Sequence, residues 1–496
     1  MNTIIPFPTE LRPALPTIVG NVDYLQLRQR LEQMDRILLA SGLETDFVAA
    51  SLQEWSRADQ RPANGRQQQK FQQRARCALR CNLLRTLLQE DFRGFSCQLA
   101  GNPLYQWFCG IAALDQVRVP SKSELQRFAC WQNGTRMRSV IDRLLQTALQ
   151  QPAVLDLARP LNLEDYFLDT TCLQANIHYP VDWVLLRDGT RTLMKAVALI
   201  RREGLKGRME APEEFLKQIN RLSMEMTHSG RKSQSKKARK RVLRQMKKVV
   251  KVVANHARRH RELLDKEWGQ TGWTRPQAEQ VLSRIDGVLG LLPKAQKQAH
   301  ERIIGERPVK NADKILSLYE TDTRVLVRGK AGAEVEFGNT LLLAENRDGL
   351  ILDFRIWQVQ APGDNHLLLE SLERLPGTVA QKLKAVGADR GFSSKINAAG
   401  LEGAGKFNGI CPKSPVELKE RMQEKRFAGL QKRRSQTEAR ISIFKNGFLG
   451  SPLLSKGQAN QAREVAWSVL THNLWVIARR PRAKAVSKPR ALAKAS

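Results

Sequence analysis

Apolar residues recur at helical spacing through VDYLQLRQRLEQMDRILLA (22–40) and QQQKFQQRARCALRCNLLRTLLQ (67–89), which predicts a helix over each. A third helix is predicted through PLYQWFCGIAAL (103–114), and SKSELQRFACW follows it with Ser121 and Glu124 spaced as a capping box. Helix, short loop and capped helix fit a helix-turn-helix reader of DNA, and they fit a plain helical bundle equally well. Residues 1–155 therefore read as a helical N-terminal domain.

The period changes at EDYFLDTTCLQANIHYP. The β-branched and aromatic run YFLDTTCL (166–173) predicts a strand, and an Asp188-Gly189 turn then opens a helix from Thr190 to Arg202. Residues 203–312 return to a helical pattern. Strands are predicted at TRVLVR (323–328), NTLLLAE (339–345) and LILDFRIWQV (350–359). In the last, Leu352, Phe354 and Ile356 alternate with Asp353, Arg355 and Trp357, which predicts a half-buried strand with Asp353 facing solvent. GDNHLLLESLERL (363–375) reads as a helix capped from within Asp364, Asn365 and His366. LKAVGADRGFSS (383–394) reads as a strand ending at Asp389, FNGICPKS (407–414) as a short strand, the stretch around Glu438 as a basic helix, and WSVLTHNLWVIARR (467–480) as an apolar one. With 203–312 removed, strand, helix, three strands, helix, strand, strand, helix remain. The expectation is an α/β domain with a mixed sheet (156–480), interrupted by a helical insertion at about 203–312 and followed by an acid-free, disordered tail (481–496).

Composition sharpens this picture. A chain of 496 residues predicts two to three domains, and 42% hydrophobic residues suffice for real cores. No apolar run approaches a membrane span, and the N-terminus lacks the basic-then-apolar order of a signal peptide. Seven cysteines, an odd number in a long chain, fit reduced thiols in a cytoplasm. Lys and Arg total 82 against 49 Asp and Glu, a net +33, which calls for a polyanionic partner. The charge is spread over several segments and no lipidation motif accompanies it, so nucleic acid fits better than a membrane. The richest segment, Arg231–Arg261, holds fourteen Lys and Arg and no acid, with Val242, Met246, Val249, Val250, Val253 and Ala257 on one face. It predicts an amphipathic helix whose basic side, including Lys236, Lys237, Arg239, Lys240, Arg241 and Arg244, contacts phosphates; the bland alternative is a solvated face.

Three acids stand at element ends in the α/β portion: Asp169, Asp389 and Glu438. Phosphoryl transfer on DNA needs an attacking and a leaving oxygen held in line, and two divalent ions caged by hard carboxylate oxygens do both. Arg434, four residues before Glu438, and Lys445, seven after it, share its helix face. They make either an ordinary surface ion pair, worth a few tenths of a kcal/mol, or a metal-facing carboxylate flanked by phosphate-facing cations.

LDTTCLQANIHYP, GADRGF and RSQTEARISIFKNGF together resemble the three acidic blocks of bacterial insertion-sequence DDE transposases. The last block resembles the signature Tyr, two residues, Arg, three residues, Glu, six residues, Lys of one large group of them. Arg434, Glu438 and Lys445 fit that spacing, and Gln431 stands at the Tyr position. The resemblance covers about 160–480. It implies a ribonuclease H-like catalytic core, with Asp169, Asp389 and Glu438 as ligands of two Mg²⁺ or Mn²⁺ ions and Arg434 and Lys445 nearest the scissile phosphate. Arg390, beside Asp389, joins them as a candidate DNA contact. It also sets Asn176, Tyr179, Pro180 and Asp182 in a block typical of such enzymes. Asp169 and Asp389 lie 220 residues apart, which the insertion accounts for. The implied activity is cleavage of double-stranded DNA ends to free a 3′-hydroxyl, followed by attack of that hydroxyl on target DNA. The protein would act as a homo-oligomer in a bacterial cytoplasm, associated with the nucleoid. Two other readings remain open: a non-catalytic DNA-binding protein derived from a transposon, and a structure-selective nuclease of the same fold.

Other candidates carry less. His256 and His260 are spaced like a zinc-binding pair, but Ala257 stands where a zinc protease has Glu. Cys77 and Cys81 have no second pair at ligand distance and read as buried helix-face thiols. Trp357, Trp467 and Trp475 read as core rather than base-stacking residues. No phosphate-binding loop for a nucleotide cofactor occurs.

Overall fold

Helices dominate the first third of the chain: α1 (Val22–Ala40), α2 (Leu43–Arg57), α3 (Gly65–Leu88), α4 (Phe92–Gly101), α5 (Pro103–Cys109), α6 (Lys122–Ala129) and α7 (Gly134–Gln150). The computed structural model describes residues 12–57, 65–132, 134–229, 235–330, 333–357 and 360–482. Residues 231–234 of the basic segment and the tail from 483 lie outside it. The chain divides into two compact units, one formed by 1–173, 340–357 and 361–496, the other by 174–339 with 358–360. None of the described helices is long and apolar enough to cross a membrane.

The first unit joins the N-terminal helices to most of a mixed sheet. Its strands are β1 (Asp165–Gln174), the C-terminal half of β3 (Ala333–Asn346), β4 (Ile351–Ile356), β5 (Ala385–Ala388) and β6 (Phe407–Ile410). β3 lies beside β1 in the sheet, β1 beside β5 and β5 beside β6; β4 pairs with β3. β1, β5 and β6 run parallel, whereas β3 and β4 are antiparallel. Short helices α12 (Leu367–Glu373), α13 (Gly377–Ala380), α14 (Lys395–Gly403) and α15 (Pro415–Arg421) connect the strands, and the long α16 (Lys425–Phe444) and α17 (Gln458–Ala478) close the chain. α17 is buried on nearly every side, from Val465 through Trp467 and Leu470 to Ile477, as an all-round apolar helix must be. One continuous core runs from Leu31 of α1 through the strands to Ala478. The helical N-terminal region therefore shares its core with the sheet, and the expected boundary near residue 155 is not a boundary between cores.

Two sequence expectations fail here. α5 stops at Cys109 because Gly110 adopts a left-handed backbone (φ 69°), and no helix resumes before Lys122. A helix-turn-helix needs a turn of three or four residues, so these two helices do not form one. Ser121 does cap α6, accepting from Glu124 N–H. β4 is not half-buried either. Ile351, Leu352 and Asp353 are all buried, and Asp353 is 0% exposed. Arg138 of α7 (2.8 Å), Arg374 (2.6 Å) and Ser371 of α12 (2.7 Å) all donate to its carboxylate. Burial alone would raise the pKa of Asp353, but these donors hold it below the ordinary carboxylate range.

The second unit is a bundle of α8 (Asp182–Arg202), α9 (Pro212–Ser229), α10 (Ser235–Glu267) and α11 (Arg275–Ala299), together with β2 (Arg324–Lys330) paired antiparallel to the N-terminal half of β3. The apolar face read from the sequence, from Val242 to Ala257 of α10, is its core. α8 begins eight residues earlier than expected and runs straight through Asp188 and Gly189. Gly189 marks a close approach rather than a turn: a Cβ there would stand 2.8 Å from Leu292 Cδ1 and 3.2 Å from Leu318 Cδ1. Asp182, at the start of α8, is buried and accepts from Gln298 (2.8 Å) and Arg302 (3.0 Å), which ties α8 to the end of α11. The insertion thus spans 174–339 rather than 203–312.

Candidate active site

Asp169 lies on β1, and Asp389 follows the last residue of β5. The parallel register pairs Asp165 with Ala385, Tyr166 with Val386 and Phe167 with Gly387; carried two residues further, it sets Asp169 opposite Asp389. Neighbouring strands lie about 5 Å apart. Gly387 permits this pairing, since a Cβ there would meet the Phe167 ring at 2.9 Å. Asp169 Oδ1 accepts from Thr170 N–H (2.7 Å), and Asp389 Oδ1 from Gly391 N–H (2.9 Å), so each carboxylate is oriented by its own backbone.

The electrostatics follow from the geometry. Burial pushes the Asp169 pKa up to about 7, and the negative charges of Asp389 and Glu438 push the same way, against the Thr170 N–H and Arg434. The Asp169 carboxyl therefore feels the charges of both Asp389 and Glu438.

Glu438 is positioned by the far side of its helix. Arg433 of α16 is buried, donates to Glu345 Oε1 (3.0 Å), Asn346 O (3.0 Å) and Arg347 O (3.1 Å), and lies 4.7 Å from the Phe167 ring centre on β1. Thr437, one turn on, donates to Glu345 Oε1 (2.9 Å). Gln431 donates to Gly409 O of β6 (2.6 Å) and reaches Ala388 O, just before Asp389 (3.5 Å). With Arg433 and Thr437 pinned to the sheet, Arg434 and Glu438 occupy the next face round. Glu438 is 63% exposed and accepts from Arg434 Nη1 (3.4 Å), while Arg434 is 20% exposed and its buried Nε has no hydrogen-bond partner.

The remaining predicted residues divide. Lys445 opens the turn after α16 and donates to Cys172 O (2.8 Å) and Thr171 Oγ1 (3.5 Å), bracing β1. Arg390 is exposed on the turn after Asp389. On α10, Lys236 and Lys240 pair with Glu306 (3.1 and 2.7 Å), Arg241 pairs with Glu225 (2.9 Å), and Arg239 lies over the Trp183 ring (5.7 Å). Lys237 and Arg244 are exposed. His260 bonds through Nδ1 to His256 O (2.8 Å) and packs against Gly207, a helix-internal arrangement. Cys77 and Cys81 touch at 3.7 Å inside α3. Trp467 and Trp357 are buried.

The sequence reading assigns Asp364 to helix capping rather than catalysis. Its carboxylate accepts from Thr170 Oγ1 (3.1 Å), next to Asp169. A Cβ on Gly391 would lie 3.0 Å from Asp389 Oδ1 and 3.1 Å from Asp364 Oδ2, so the two carboxylates flank one glycine. Asp364 stands just before a predicted helix, where capping explains an Asp equally well, and its link to Asp169 runs across nearly two hundred residues.

The donor set, hard carboxylate oxygens with mutual repulsion to relieve, suits Mg²⁺ or Mn²⁺. Among the described residues no three His, Cys, Asp or Glu side chains converge on one point closely enough to hold an ion as they stand, and Glu438 is turned to Arg434. Asp169 and Asp389 supply suitable oxygen donors, and Glu438 is engaged by Arg434. Compared with family models, curated proteins and solved structures, the chain matches none.

Proposed function

We propose that the chain is a metal-dependent DNA transposase, with Asp169, Asp389 and Glu438 as its catalytic acids and two Mg²⁺ or Mn²⁺ ions as cofactor. The observation that carries this reading is the register of β1 and β5, which faces Asp169 with Asp389 while the Glu438 charge bears on the same carboxyl. The mixed sheet, with parallel β1, β5 and β6 and antiparallel β3 and β4, is compatible with a ribonuclease H-like core. The resemblance of three separate acidic blocks supports the transposase assignment.

In this mechanism Asp169, Asp389 and Glu438 would hold the divalent ions, Glu438 by giving up its ion pair with Arg434. When bound, the ions would make a water, and later a 3′-hydroxyl, nucleophilic and would stabilise the leaving oxygen. Arg434, released from Glu438, neutralises the non-bridging oxygens of the scissile phosphate through its Nη groups. Lys445 and Gln431 also tie α16 and the residues after it to the sheet, which keeps the acids at their spacing. Hydrolysis frees a 3′-hydroxyl at each element end. That hydroxyl then attacks a target phosphodiester, forming one P–O bond as another breaks and its proton leaves to solvent. Acting on paired ends calls for a homo-oligomer on duplex DNA.

A strand-transfer assay tests this. Purified protein, Mg²⁺ or Mn²⁺, DNA carrying the sequences that flank its own gene and a plasmid target should give joined products, which vanish in Asp169→Ala and Glu438→Ala. Nicks without joined products would instead indicate a structure-selective nuclease. Tight binding with neither would indicate a DNA-binding protein derived from a transposon.

A further inference from the structure

The acids of the second unit neutralise α10 at its two ends and leave its middle bare. Near the N-terminal end, Glu306 takes Lys236 and Lys240 and Glu225 takes Arg241; near the C-terminal end, Asp265 and Asp286 take Arg261. Between them Arg244, Lys248, Lys251, Arg258 and Arg259 are exposed. Arg244 with Lys248 and Lys247 with Lys251 are like-charged pairs four residues apart, and each costs the helix a few tenths of a kcal/mol. A polyanion along this stretch would turn that cost into attraction.

The same stretch borders a cleft. Between α10 and α11 lies a cavity of about 330 Å³ lined by Lys247, Lys248, Lys251 and Arg258 on one side and by Pro293 and Gln296 on the other. No carboxylate lines it. Its origin is local: α10 presents only Val250 and Ala254 between its cations, and Pro293, inside α11, cannot donate to the carbonyl of Leu289, which also lines the cavity. Lys247 is braced by His300 Nδ1 (3.3 Å). Four cations and a side-chain amide thus converge on a concavity roomy enough for a phosphodiester group and several waters, at about 30 Å³ per water.

We propose that this cleft and the bare middle of α10 form a phosphate-binding track for the backbone of duplex DNA, with Lys248, Lys251 and Arg258 as its principal contacts. Of the six cations named from sequence, Lys236, Lys240 and Arg241 contribute less, because they are already paired. Cations three or four residues apart rise about 5 Å along the helix, a ladder suited to successive phosphates. The inference rests on the reading that the chain acts on DNA, and it assigns the sequence-independent part of that binding to the second unit.

The test is the salt dependence of binding to a 30-base-pair fluorescent duplex, using the full chain without divalent metal. Lys248→Gln, Lys251→Gln and Arg258→Gln combined should flatten the slope of log K against log salt by about 3. Lys236→Gln, Lys240→Gln and Arg241→Gln combined should change it by less than about 1. Lys248→Arg with Lys251→Arg should keep the wild-type slope, which separates charge from folding. An unchanged slope in the first triple variant would overturn the proposal. So would loss of binding to phosphatidylserine vesicles with DNA binding intact, which would make this a membrane-facing surface. Wild-type protein that binds duplex steeply but never cleaves would sink the catalytic reading and leave this one standing.

Discussion

Two buried groups outside the candidate active site set measurable stability terms at the scale of single residues. Asp353 compensates two arginines inside the first unit. Asp353→Asn should destabilise the protein by about 3–5 kcal/mol in urea unfolding, because both guanidinium groups lose their buried counter-charge. A cost below about 1 kcal/mol would mean that water reaches them. His472 is enclosed by Phe444 and Phe448, and burial lowers its pKa to about 4. With an ordinary value near 6.5 in the unfolded chain, the unfolded state binds the extra proton first. Stability attributable to His472 is therefore whole above about pH 6.5 and falls by about 3 kcal/mol as pH drops towards 4. His472→Asn should remove that slope, and an unchanged pH profile would contradict the assignment.

At the scale of elements, Gly189 separates pattern from packing. Ala is the better helix former by about 1 kcal/mol, so an exposed helical glycine would gain from the change. Gly189→Ala should instead destabilise by about 1–3 kcal/mol, since its Cβ must displace Leu292 and Leu318; stabilisation would show that the helices part without cost. α16 makes the complementary case. Thr437→Val should lower cleavage while leaving DNA affinity unchanged, because it cuts the tie to Glu345 that sets Glu438 but touches no phosphate; equal losses in both would argue for general unfolding of the helix. The sequence announced most of these elements, because amphipathic period and strand composition are local signals. α1 begins and ends where its period does, and the apolar face of α10 is its buried face. The failures came where one residue type serves two purposes. Asp188-Gly189 has turn chemistry but sits in a helix for clearance. Asp353 alternates with apolar neighbours, yet it is covered on both sides by partners from α7 and α12. Asp364 looks like a cap and accepts from Thr170, next to Asp169. In each case the deciding neighbour is more than a dozen residues away, beyond the reach of local periodicity.

At the scale of the whole molecule, the proposal divides an excess of +33 between two candidate sites. The first unit brings the charges of Asp389 and Glu438 to bear on Asp169 and spends several of its arginines, among them Arg138, Arg374 and Arg433, on internal carboxylates. The second unit carries the acid-free cleft of α10 and α11. Metal-dependent chemistry and charge-driven binding should therefore be separable by mutation, one in each unit. The most direct measurement is single-turnover release of a labelled 3′-hydroxyl end from the protein's own flanking DNA in Mg²⁺, comparing wild type with Asp389→Asn alongside their affinities for the same DNA. The account predicts wild-type cleavage, a loss of at least about a thousandfold (roughly 4 kcal/mol in barrier) in Asp389→Asn, and unchanged binding. Cleavage that survives Asp389→Asn would show that the site is elsewhere.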